Sequence, residues 1–223
     1  WDVHSPRFLE VDLVSHSGPS AEGLFIYTLD CVDIYSGWSE RRAIMGKYQI
    51  DIVRPLKEIQ QALPFKLKAI DSDNGSEFIN YHLKHFCSKE NIQFTRGRPY
   101  KKDDNAHIEQ KNWTHVRQIF GYDRYDTKKV LDAMNDLYKN ELRLFQNFFQ
   151  PSVKLLKIIR IGSKIKKIYD YPLTPYQRVC KLPKKADLKR THQLHKLLHF
   201  IDPFELSKQI NRKLTIIYEM ASR

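Results

Sequence analysis

The chain has 223 residues, enough for one large domain or for an ordinary core with a smaller appendage. A hydrophobic share of 41%, with 12 Phe, 12 Tyr and 3 Trp, supplies a packed interior and excludes general disorder. Net charge is +12 and unevenly placed: residues 1–150 hold 21 Lys+Arg against 21 Asp+Glu, residues 151–223 hold 17 against 5. A neutral front and a strongly basic rear suit a protein that works on a polyanion, with phosphate neutralisation coming from the rear. No apolar run approaches the roughly 20 residues of a membrane span, and the N-terminus lacks the pattern of a signal peptide. A soluble, intracellular protein with no membrane partner is expected. Cys31, Cys87 and Cys180 are too few and too scattered for a disulfide framework or a CxxC-type zinc site. The first residue is Trp rather than Met, which reads as a piece of a longer chain.

In chain order, residues 7–14 alternate, with Leu9, Val11 and Leu13 on one face and Phe8, Glu10 and Asp12 on the other, which predicts a strand. Segments 24–33 and 38–45 are two more strands, joined through the turn signal Tyr35-Ser36-Gly37. Residues 48–62 carry Ile50, Val53, Leu56 and Ile59 at helical spacing, closed by Pro64. A short strand, 67–70, runs into Asp71-Ser72-Asp73-Asn74-Gly75, and a helix follows over 76–89. A fifth strand near 91–95 leads to the polar stretch 96–104, read as a loop. Asn105 caps a helix whose apolar positions include Ile108, Val116, Ile119 and Phe120, and another helix spans 127–146. After Pro151 the composition changes: 158–171 reads as basic strand or loop, Thr174-Pro175 opens a short helix, and Asp202-Pro203-Phe204-Glu205 reads as a capping box that starts a helix over 203–220. The boundary falls near 150, between a core (1–150) and a basic C-terminal DNA-binding or assembly region (151–223).

Three acidic side chains lie where a sheet edge could gather them: Asp12 late in the first strand, Asp73 just after the fourth, and Glu109 in the first turns of a helix. Carboxylates converging from separate elements suit hard divalent cations, and phosphoryl transfer uses such ions in pairs about 4 Å apart. Glu10 shares a face with Asp12 and competes with it as a ligand; Asp71 reads as a loop or supporting carboxylate. His107 is placed on a different helix face from Glu109. His192, His195 and His199 are spaced too loosely for a metal cluster and read as a solvated or packed helix. Arg96, Arg98, Lys101, Lys102, Lys111 and Arg117 flank the Glu109 segment as candidate phosphate contacts, and Trp113 is expected to pack into the core.

The run from Ile70 to Phe78, with Asp73-Asn74-Gly75 at its centre, resembles the Asp-Asn-Gly-x-x-Phe block of retroviral integrases and related bacterial insertion-sequence transposases. Thirty-five residues separate Asp73 from Glu109, the spacing of the DD(35)E family, and Asn105 to Asn112 resembles its Glu-bearing helix. Glu10-Val11-Asp12 matches the first-strand Asp, and Phe148 to Ser152 with Thr174 to Arg178 is similar to insertion-sequence transposases; the resemblance covers about residues 5–180. It implies an α/β, RNase H-like mixed five-stranded sheet flanked by helices. It also implies Asp12, Asp73 and Glu109 as catalytic residues and ligands of two Mg²⁺ (or Mn²⁺) ions. The activity implied is end cleavage and strand transfer of a mobile element, with DNA ends and target DNA as partners, a homo-oligomer on DNA, and a bacterial-type cytoplasmic setting. The zinc module of retroviral integrases is absent from the sequence. The alternatives are an RNase H-like nuclease and a non-catalytic DNA-binding protein derived from a transposase.

Overall fold

The computed structural model describes residues 5–46, 52–72, 77–96, 106–181 and 188–221. Strand β1 (Phe8–Ser15) alternates between two apolar layers: Leu9, Val11 and Leu13 enter one, Val14 the other, and Glu10 and Asp12 share the face of Val14. Strands β2 (Ile26–Asp33) and β3 (Ser39–Met45) form an antiparallel hairpin. Its turn is closed by Asp33, whose Oδ1 accepts from Ser36 N at 2.7 Å and Ser36 Oγ at 2.6 Å, while Gly37 takes the positive φ of +72° that the reversal needs. Helix α1 (Val53–Ala62), strand β4 (Ala69–Ser72), helix α2 (Glu77–Lys89) and strand β5 (Gln93–Arg96) follow. Among the described residues these strands make one five-stranded sheet in the order β3-β2-β1-β4-β5, antiparallel through β3, β2 and β1 and parallel from β1 to β5.

Beyond the sheet, helix α3 (Ala106–Lys111) passes through a π-helical stretch (Asn112–Arg117) into the short α4 (Gln118–Phe120), followed by α5 (Lys128–Lys139) and α6 (Glu141–Phe149). The two layers of the core lie on opposite sheet faces. Leu9, Val11 and Ile70 meet Leu56 and Ile59 of α1 and Leu83 and Phe86 of α2. Val14, Ile26 and Ala43 meet Val116, Phe120, Val130, Met134 and Leu137. Both faces of β1, β2 and β3 are thereby covered by apolar side chains.

The C-terminal third contributes a hairpin of β6 (Leu155–Ile161) and β7 (Lys164–Tyr169) and helices α7 (Pro175–Cys180), α8 (Leu188–His199) and α9 (Pro203–Glu219). Tyr176, Val179 and Leu194 join the first layer, and Ile210 and Ile217 the second. Lys213 Nζ ties α9 to Glu141 at 2.7 Å and to Asp136 at 2.5 Å. Thr174 and Gln177 form a reciprocal capping box at α7, and Asp202 caps α9 by accepting from Phe204 N at 2.8 Å and Glu205 N at 3.4 Å. No helix among the described residues is long and apolar enough to cross a membrane.

At the level of elements the structure departs from the sequence expectations in two places. The single helix expected over 127–146 is two, because Asn140 adopts φ −112° and ψ −104° and its side-chain amide donates to the Asp136 carbonyl and to Asp136 Oδ1, both at 2.9 Å. Asp71 lies inside β4 rather than in a loop. Segment 158–171, expected as basic strand or loop, is strand through Tyr169, in a hairpin that starts at Leu155. The loop residues 97–104, the cap at Asn105 and the start of the 48–62 segment lie outside the described residues.

Candidate active site

The sheet register brings acids into adjacent rows. Glu10 stands beside Asp71 in the parallel β1–β4 ladder, and Asp12 opposite Asp30 in the antiparallel β1–β2 ladder; Asp30 stands opposite Arg41 in β2–β3. Like charges on neighbouring strands repel, so each needs a compensating group. For Asp30 it is Arg41, whose Nε lies 3.0 Å from Asp30 Oδ1 with both side chains buried. Burial pushes the Asp30 carboxyl above the usual carboxylate range, and Arg41 opposes that rise. Arg41 also meets the Gln146 side chain and, at 2.6 Å, His115 Nδ1, while Lys111 Nζ lies 3.3 Å from His115 Nε2. Burial, then the two neighbouring cations, drive His115 well below its ordinary value, so the ring is neutral beside two positive groups.

Asp12 is gripped from two sides. Leu13 N donates to Oδ1 at 2.7 Å and Asn112 Nδ2 to Oδ2 at 2.6 Å. Glu10 is buried, and its Oε2 accepts from Ile108 N at 2.8 Å. Ile108 is the third residue of α3, where backbone N–H groups have no partner inside the helix, so Glu10 acts as a tertiary cap placed at the positive end of the helix dipole. Burial first, then Asp71 and Glu109, raise its carboxyl to about 7, against the lowering effect of the Ile108 hydrogen bond. Helix α3 is therefore pinned to β1 at Ile108 and again at Asn112, and exposed Glu109 lies between the two pins. Glu109 and Asn112, three residues apart, occupy neighbouring positions on the helix surface.

Of the residues picked from sequence, Asp12 and Glu109 are brought to the same strand–helix junction. Asp73, Arg98, Lys101 and Lys102 lie outside the described residues, as do the side chains of Arg96 and His107. Lys111 is turned into the Arg41–His115 cluster, and its ammonium is brought down to about 8 by burial and then by Arg41. Arg117 is half-buried, with Nη2 3.4 Å from Ser15 Oγ and its guanidinium 4.8 Å from the Tyr122 ring centre. Trp113, expected in the core, is 51% exposed: the π-helical turn directs His115 and Val116 inward instead. His192, His195 and His199 are exposed on α8, and among the described residues no group of three or more His, Cys, Asp or Glu could hold a metal ion. Sequence reading missed Asn112 as the clamp on Asp12 and Asp30–Arg41–His115 as the charge cluster behind it. Opposite charges at matched positions of two strands joined by a hairpin, Asp30 and Arg41, were the available signal.

The donor chemistry fits a hard cation. Asp12 and Glu109 offer only oxygens, and Asn112 Oδ1 is buried without a hydrogen-bond partner among the described residues. The sheet register sets four carboxyl groups, Glu10, Asp12, Asp30 and Asp71, on adjacent strands beside this junction.

The fold is α/β, a mixed five-stranded sheet between helices, and solved structures share it. The chain superposes with a TM-score of 0.54 and 16% identity on a chain of the simian T-cell lymphotropic virus intasome, solved by cryo-EM in complex with PP2A regulatory subunit B56 gamma. That match covers 81% of this chain and 56% of the other. It is also similar to the HTLV-2 integrase catalytic core domain in complex with magnesium (TM-score 0.49, 16% identity, 79% of this chain and 98% of that one). For the catalytic core domain of BIV integrase the figures are 0.47, 14%, 78% and 94%. In sequence it is 36% identical over 178 residues to an uncharacterized protein, y4rM, of Sinorhizobium fredii (strain NBRC 101917 / NGR234), across 80% of this chain. The chain spans about half, 51%, of the length of that curated relative. No protein-family model matches it.

Proposed function

We propose that this chain is the catalytic core of a DDE transposase, which cleaves the ends of a mobile element and joins them to target DNA through Asp12, Asp73 and Glu109. The observation that carries the reading is the double pinning of the Glu109 helix to β1, at Ile108 by Glu10 and at Asn112 by Asp12. That pinning holds the helix that carries Glu109 against the strand that carries Asp12, which supports a shared site for in-line displacement. In sequence Asp73 comes directly after β4, the strand paired with β1, which supports assigning it to the same site. Divalent magnesium or manganese, when bound by these carboxylates, would activate the attacking oxygen and neutralise charge on the leaving one. The protein's own part is geometric: Leu13 N and Asn112 hold Asp12 in one rotamer, Glu10 holds the helix, and Arg41 keeps Asp30 from competing for charge. The nucleophile is water or a DNA 3′-OH, and no covalent enzyme intermediate is needed.

Arg96, Arg98, Lys101 and Lys102 would contact phosphates from the segment before α3, with Arg117 adding positive charge along the helix, while Lys111 is committed to the Arg41–His115 cluster. The basic 151–223 region would supply non-specific DNA affinity and assembly contacts. A homo-oligomer on DNA, in a bacterial-type cytoplasm, fits this role. Replacing Glu109 by Gln tests the reading, because the substitution keeps shape at an exposed helix position and removes one negative charge. With cognate element ends in Mg²⁺, cleavage and joining should each fall at least about a hundredfold while DNA binding is unchanged. Joining at the parental rate would contradict the assignment; cleavage without joining in the parent would favour a nuclease.

A further inference from the structure

Hairpin β6–β7 has a composition unlike the rest of the fold. From Ser152 to Tyr169 it contains six cations, Lys154, Lys157, Arg160, Lys164, Lys166 and Lys167, and no acid. Both strands are exposed along nearly their whole length, with Ile158, Ile161 and Ile165 at 57%, 66% and 61%. The register sets one cation against one aliphatic residue in five rungs: Lys157 with Ile168, Ile158 with Lys167, Ile159 with Lys166, Arg160 with Ile165, and Ile161 with Lys164. Opposed residues share a face, so both faces carry the same mixture. A ribbon built to cover protein would sort its apolar side chains onto one face. This one is instead cationic all round, with short aliphatic side chains between the charges.

The ribbon is firmly rooted. Lys154 N donates to Asp170 Oδ1 at 2.6 Å, and Arg178 bridges the two strand ends by donating to Asp170 Oδ2 at 2.5 Å and to the Ser152 carbonyl at 2.7 Å. Lys154 Nζ donates to the Ile34 carbonyl at 2.6 Å and to that of Tyr35, which anchors the ribbon to the β2–β3 turn of the core. Its tip closes in two residues, Gly162-Ser163, with Gly162 at φ +60°. The major groove of B-DNA, about 12 Å wide, admits a two-stranded ribbon.

Resting on the reading of the chain as a DNA strand-transfer core, we propose that β6–β7 is a duplex-DNA arm that enters the major groove. Its cations meet the phosphates on both walls, and its Ile side chains lie against sugars and thymine methyls. The carrying observation is the cation-plus-aliphatic pairing on every one of those five rungs of an exposed, rigidly rooted ribbon.

The test uses the full chain and a 30-bp duplex of arbitrary sequence, with affinity measured by fluorescence anisotropy across a salt series. The variant Lys157→Gln/Arg160→Gln/Lys164→Gln/Lys166→Gln/Lys167→Gln should bind at least about tenfold more weakly near 0.1 M salt, with a log–log salt slope shallower by about two to four. Ile158→Ser/Ile165→Ser should weaken binding several-fold and leave the slope unchanged. Circular dichroism should match the parent in both, since the changed side chains are at the surface. Guanine N7 methylation should be blocked by the parent and not by the five-site variant. A five-site variant with parental affinity and slope would overturn the proposal, as would a bound parent that leaves N7 open. So would a change in oligomeric state with unaltered DNA binding, which would assign the ribbon to a second copy of the chain. These outcomes are independent of the active-site reading: Glu109→Gln joining DNA normally would remove the catalytic assignment and leave the ribbon result standing.

Discussion

At the residue scale, the cost of building a charged site is visible in side chains that stay neutral or locked. His16 is fully buried, with Nε2 2.8 Å from Thr28 Oγ1, which in turn lies 2.7 Å from the Tyr138 hydroxyl. Burial, with Arg117 adding to it, lowers the ring to about 3, so the native state holds it uncharged. An unfolded histidine takes a proton near pH 6.5. His16 therefore contributes stability that is fully present above about 6.5 and is lost as pH falls toward 3, by about 1.4 kcal/mol per pH unit. Glu10 and Asp30, whose carboxyls are raised, act in the opposite sense, so the comparison must be between variants. Between pH 6.5 and 5 the stability of His16→Asn, measured by urea unfolding, should fall less steeply than the parent's by about that amount. Parallel slopes would mean that His16 is protonated in the native state.

At the scale of elements, the Glu109 helix depends on a cap from outside its own sequence. Asn105 was the expected local cap; the described cap is Glu10, 98 positions from Ile108 in the chain. Local pattern reading finds caps within a few residues, and this one becomes visible only once β1 is in place. The same limit explains the Asn140 break, where a side chain competing for Asp136 outweighs a continuous helical pattern, and the exposed Trp113, whose helical phase was shifted by the π-helical turn. What was legible came from periodicity: the five strands, their order along the chain and the apolar stripes of α1 and α5 follow directly from alternation and helical spacing. Removing the cap should be measurable. Glu10→Ala leaves a buried Ile108 N–H unpaired and should cost about 1–3 kcal/mol, with faster amide exchange along α3. Glu10→Gln keeps an acceptor and should recover most of the loss. If both variants were as stable as the parent, α3 would not rely on β1 for its N-terminus.

At the scale of the whole molecule, the excess charge of the last third is divided between two kinds of structure. Helices α7 to α9 return to the core and complete its two apolar layers, while the β6–β7 ribbon is exposed to solvent along nearly its whole length. The sequence located the basic region, but charge counting has no register, so the rung-by-rung pairing emerged only from the ladder. Acidic centre and basic arm come from opposite ends of the chain, joined through Lys154 at the β2–β3 turn. The proposed site gathers Asp12, Asp73 and Glu109 at one cation-binding centre. Anomalous diffraction from crystals soaked in Mn²⁺ tests it most directly. A manganese peak is expected in contact with carboxylate oxygens of Asp12 and Asp73, with Glu109 reaching the same centre. Manganese bound elsewhere, or Asp73 turned to the opposite face of the sheet from Asp12, would contradict it.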